Sequence, residues 1–135
     1  MDTKELDKAI QEIAIRRNEL KKLDYSDLKY DDLEEQLHEL EDSLIDEHGD
    51  YLEEVLQEIH DKYCPDTDIL FPIAYLAKTY SISAGNEFSV TSAEGVYVEV
   101  DSMPGKETKL VMVPNPLRVI LNLGNEKKLI VWSAK

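Results

Sequence analysis

The spacing of apolar residues changes near Tyr80, and that change sets the fold class. Before it the period is helical. Leu6, Ile10, Ile13, Arg17 and Leu20 stand 4, 3, 4 and 3 apart, and Leu33, Leu37, Leu40 and Leu44 repeat 4, 3, 4. Such spacing lays one seam along a helix. Residues 24–30 include Ser26 and Asp27 and read as a turn, and so short a connector predicts an antiparallel hairpin. Thr3 is the expected N-cap of the first helix, and Asp31 or Asp32 that of the second.

Gly49 decides how long the second helix is. A glycine in a helix costs about 1 kcal/mol relative to alanine, so His48-Gly49-Asp50 offers a place to turn. Counted at ~100° per residue, Tyr51, Leu52, Val55, Leu56, Ile59 and Tyr63 widen the leucine stripe but do not jump from it. The phase favours one helix over residues 31–63, ~50 Å long, with a turn at Gly49 as the alternative. The widening predicts more cover for its second half than for its first. Pro65 ends it. Asp66, Thr67 or Asp68 then caps an expected third helix, short and buried, with Pro72 in its first turn and Ile69, Leu70, Ile73, Ala74, Leu76 and Ala77 apolar.

From Tyr80 onward the period is close to two. Residues 87–91, 95–101, 109–113, 117–123 and 128–133 read as strands. The breaks at Ser92-Ala93-Glu94, residues 102–106, Pro114-Asn115-Pro116 and Gly124-Asn125-Glu126 are short, so the strands should run in sequence and antiparallel. Val96, Val98 and Val100 alternate with Tyr97, Glu99 and Asp101, giving one buried and one wet face. The expected class is α+β: an N-terminal helical hairpin with a long acidic second helix (residues 1–64), then the short helix and a meander of four to five strands (residues 65–135), packed as one unit.

Charge is concentrated in one place. Residues 31–68 hold sixteen acids and one base, Lys62, a net of −15, against 0 for residues 1–30 and +1 for residues 69–135, which sums to −14. A helix face ordinarily alternates Lys with Glu to gain about 0.2–0.5 kcal/mol per i, i+4 pair. Here Glu35–Glu39, Asp42–Asp46, Asp46–Asp50, Asp50–Glu54 and Glu54–Glu58 are all like-charged. That pattern serves solubility or meets something cationic, and Arg16, Arg17, Lys21 and Lys22 of the first helix are expected to neutralise only one flank. A pI near 4.5 argues against nucleic acid and anionic membranes as partners. No apolar run approaches the ~20 residues of a membrane span, the N-terminus lacks the pattern of a signal peptide, and a single cysteine, Cys64, forms no internal disulfide. Together these point to the cytoplasm.

Enzymatic motifs are missing: there is no Gly-rich phosphate loop, no Gly-x-Ser-x-Gly elbow and no Cys-x-x-Cys. Glu99, Asp101, Arg118 and Asn122 of the β-region form no acid–base or nucleophile pattern. No cofactor is expected beyond a divalent cation. For such an ion the candidates are Glu35 and His38, in Glu-x-x-His spacing, and His60, one turn before Cys64. On a continuous helix His38 and His60 are ~33 Å apart and do not share a site. The leading expectation is a non-enzymatic adaptor, chaperone-like factor or assembly subunit. Its contacts would come from Glu39, Asp42, Asp46, Asp50, Glu53 and Glu54 and from Tyr25 and Tyr30 at the hairpin tip, and its partner would be a basic protein or a second copy through a coiled coil. A metal-binding helical bundle and a polyanion mimic are the alternatives.

Overall fold

A computed structural model describes residues 3–91, 93–100, 107–123 and 127–134. The expected turns at residues 102–106 and 124–126, together with Ser92 and Asp101, lie outside the described residues. Thr3–Lys21 forms helix α1 and Tyr30–Tyr63 forms helix α2, which continues through Gly49. The two helices pair as an antiparallel hairpin. From α1, Leu6, Ile10, Ile13 and Ala14 are buried. The first half of α2 buries Leu37 and Leu44, whereas the half from His48 onward buries Leu52, Val55, Leu56, Ile59 and His60 as well. Burial of the turns on both sides of Gly49 outweighs the glycine's helix penalty, and the broader stripe is where the helix reaches the sheet. The cap of α2 differs from expectation: Lys29 holds the N-cap position, while Asp31 and Asp32 sit in the first turn, where the helix dipole favours acids.

The expected third helix is a single 3₁₀ turn, Pro72–Tyr75. Pro72 restricts the residue before it to extended backbone, and Phe71 lies at φ −62°, ψ 146°. Leu76 leaves the turn extended and bridges Met112 in parallel. The apolar run is therefore used as an edge segment against the sheet, not as a helix.

Among the described residues six strands follow, in two sheets. Ser81–Ser83 (β1) pairs with Glu87–Ser89 (β2) as a separate hairpin. Its turn places Gly85 and Asn86 at φ 82° and 60°, which these two residue types tolerate. Val96–Val98 (β3), Thr108–Val113 (β4), Arg118–Asn122 (β5) and Lys128–Ser133 (β6) form the antiparallel meander β3-β4-β5-β6. Val119 pairs with Trp132 and Ile120 with Ile130, so Val131 is an extra residue in β6, a β-bulge. Gly95 leads into β3 at φ 115°, and a Cβ there would lie 2.6 Å from the Leu110 carbonyl oxygen, so only glycine lets the strands close.

The central strands β4 and β5 are covered on both faces. Leu110, Met112, Val119 and Leu121 pack against Leu6 and Ile10 of α1 and Leu52, Leu56 and Ile59 of α2. Val111, Val113 and Ile120 pack against Tyr80, Phe88 and Val90. Side chains of β5 and β6 tie down the second layer by its backbone: Arg118 donates to the Phe88 carbonyl, Asn122 to those of Thr91 and Glu94, and Lys128 to that of Val90. Asp7 fixes α1 to the β4–β5 turn, its carboxylate accepting the backbone N–H of Asn115 and of Leu117, each at 2.8 Å.

Candidate functional site

Continuity of α2 turns the acidic block into a surface. Glu35, Glu39, Asp42, Asp46, Asp50 and Glu53 recur at three- and four-residue steps and are all exposed, with Glu54 beside them. They lie opposite the buried line of Leu37, Leu44, Leu52 and Leu56. Neither Arg16 nor Arg17 of α1 pairs with them. Arg17 crosses to Glu41 at 2.6 Å, and Arg16 pairs within its own helix with Glu12 and Glu19. Among the described residues no ion pair includes a member of the stripe.

At its C-terminal end the stripe meets an apolar outcrop. A groove of about 560 Å³ is lined by Glu53, Gln57, Ile69, Leu70, Phe71 and Ala74. Leu70 is 47% exposed and Phe71 79%. An aromatic this exposed beside charge is the composition of an interface anchor. The hairpin tip, at the other end of α2, carries Tyr25 against Tyr30 with ring centroids 4.7 Å apart. A hydrogen bond with the Tyr25 hydroxyl holds the Tyr30 phenol above its ordinary pKa. Tyr30 is half-buried and staples the turn; Tyr25 and Leu28, the latter 96% exposed, face solvent.

The three histidines have three different settings. His38 is exposed on the outer face of α2, one turn after Glu35. His60 lies ~33 Å further along the helix, so the two are not brought together. It is 1% exposed and fully engaged. The Thr67 carbonyl accepts from Nδ1 and the Tyr75 hydroxyl pairs with Nε2, both at 2.9 Å, while the Leu70 N–H donates to that hydroxyl at 3.1 Å. A carbonyl only accepts, so the network assigns the proton to Nδ1 and makes Tyr75 the donor to Nε2. Burial raises the Tyr75 phenol, which favours that role.

His48 is the setting that sequence reasoning missed. It is 6% exposed, and neither ring nitrogen has a hydrogen-bond partner. The Glu47 carboxylate stands 3.8 Å from Nε2, too far for a hydrogen bond. Leaving a buried donor or acceptor unpaired costs about 1–3 kcal/mol. Glu5, from the first turn of α1, joins the pair: one ligand atom each from Glu5, Glu47 and His48 lie within 4.8 Å of one another. One signal was legible. His48 falls four residues from both Leu44 and Leu52, which places it on the buried stripe. Nothing local in the sequence points to Glu5.

Of the β-region residues, Arg118 and Asn122 serve the packing of the second layer. Arg118 and Asn122 hold backbone carbonyls, burial pushes the Arg118 guanidinium below its ordinary pKa, and the Glu99 N–H donates to the Thr67 hydroxyl. No described helix is long and apolar enough to cross a membrane. No family model matches the chain, and no curated protein or solved structure matches it either.

Proposed function

We propose that this chain is a non-enzymatic interaction module that engages a basic partner through the acidic stripe of α2, with Phe71 and Leu70 as its apolar anchor. The observation that carries this reading is the groove where the stripe ends: Glu53 and Gln57 form one wall and Leu70 and Phe71 the other. A partner segment with bases along one face and an apolar residue at its end fits that surface. Electrostatic complementarity supplies the approach and the register, and desolvation of Phe71 supplies the anchor. A second copy fits less well, because each chain carries a net charge of −14 and only Lys62 as a base within residues 31–68.

The test is a pull-down from native extract at low salt, eluted by a salt step and identified by mass spectrometry. A basic protein should be released by salt, since the screening length falls from ~10 Å at 0.1 M to ~3 Å at 1 M. The same protein should be lost from the Asp42→Lys/Asp46→Lys chain and also from Phe71→Ser. An eluate unchanged by either variant overturns the proposal.

A further inference from the structure

We infer that Glu5, Glu47 and His48 form a binding site for a divalent transition-metal ion, which clamps the first turn of α1 to the middle of α2. The acids alone would not make a site. His48 does, because its ring is buried, lacks a hydrogen-bond partner on either nitrogen, and places Nε2 3.8 Å from the Glu47 carboxylate. An ion on Nε2 satisfies one of those nitrogens.

The ligand set is one imidazole nitrogen and two carboxylate oxygens. Imidazole suits Zn²⁺ and its neighbours, whereas Mg²⁺ and Ca²⁺ take oxygen ligands. Around Zn²⁺, with bonds of ~2.0–2.2 Å, tetrahedral ligand atoms stand roughly 3.3 Å apart. The three atoms here already lie within 4.8 Å. Glu5 and Glu47 are exposed, so rotation of their side chains closes the difference while buried His48 stays fixed. Three protein ligands leave the fourth position to water. The ligands come from separate helices, so binding joins two elements that the folded chain has already placed together. That is the arrangement in which metal affinity appears as stability.

The experiment is calorimetric titration of the chelator-treated full chain with Zn²⁺, alongside thermal unfolding with and without the ion. The expected result is one strongly bound Zn²⁺ per chain, not displaced by excess Mg²⁺, and an upward shift of Tm. Glu5→Gln and Glu47→Gln should each weaken binding by at least tenfold and reduce the Tm shift. The Glu35→Gln/His38→Gln chain should bind as the wild type does. His48→Leu should lose the strong site; if that variant does not fold, the two exposed glutamate variants carry the test. Zn²⁺ bound diffusely and displaced by Mg²⁺, or an affinity unaltered by Glu5→Gln and Glu47→Gln, overturns the inference.

Discussion

His48 and His60 are both buried on the same helix, yet their surroundings are opposite. Around His60 every polar atom has a partner, and the ring ties α2 to Thr67 and, through Tyr75, to the backbone at Leu70. Around His48 neither nitrogen has one. Folding accounts for a buried polar group that its neighbours satisfy. One that they leave unsatisfied opposes folding, and its retention calls for something outside the fold. Burial alone therefore says little about a histidine; its partners separate a structural node from a candidate site.

The same substitution at the two positions gives the largest expected contrast. His60→Leu leaves the buried Tyr75 hydroxyl without its acceptor and the half-buried Thr67 carbonyl without its donor, and should lower stability by about 3 kcal/mol. His48→Leu removes an unpaired group from the buried stripe of α2, between Leu44 and Leu52, and should stay within about 1 kcal/mol of wild type in metal-free buffer. Urea unfolding of both variants reads the difference directly. Equal losses would erase the distinction between the two sites.

Tyr80 extends the satisfied class to the other face of the sheet. Its hydroxyl donates to the Met112 carbonyl and accepts the Ala77 N–H, and burial pushes its pKa up to about 12. The unfolded phenol titrates near 10. Between those values the folded chain holds a proton that the unfolded chain has lost, so this stabilisation is complete below pH 10 and disappears as pH rises through 12. The loss amounts to about 2–3 kcal/mol. Urea midpoints at pH 8, 10 and 11 should fall in that order. Tyr80→Phe should lower stability by about 1–2 kcal/mol at pH 7 and flatten the alkaline slope. Some slope should persist, because Tyr75 is raised in the same direction.

These contrasts also mark where the sequence was readable. The leucine spacing carried both helices, and the unbroken phase across Gly49 correctly outweighed the glycine itself. The valine alternation located β3, and the turn residues bounded β4, β5 and β6. What failed depended on tertiary partners. Residues 69–77 have the apolar content of a buried helix, but Pro72 and the bridge from Leu76 to Met112 confine them to one 3₁₀ turn, with Phe71 and Leu76 extended on either side. Ser81–Ser83 is too short and too polar to announce a strand without Glu87–Ser89 opposite it. The acidic stripe was legible because a helix repeats at a fixed period. The Glu5, Glu47 and His48 cluster was not, because it exists only once the register of the hairpin is set.

The smallest expected effect bears on the other contrast within α2, between its buried and acidic lines. Asp46 has Asp42 and Asp50 one turn to either side, all exposed. Asp46→Lys converts two repulsive pairs into two attractive ones, and should raise stability by about 0.5–1 kcal/mol at low salt. The gain should fade at 1 M salt, where charges more than ~3 Å apart are screened. Urea unfolding at the two salt concentrations measures it. A chain that becomes more stable while losing its basic partner would mean that the acidic stripe is kept for binding, at the expense of the helix that carries it. No gain would mean that the exposed acids impose little strain on α2, and the case for a cationic partner would then rest on the Phe71 groove alone.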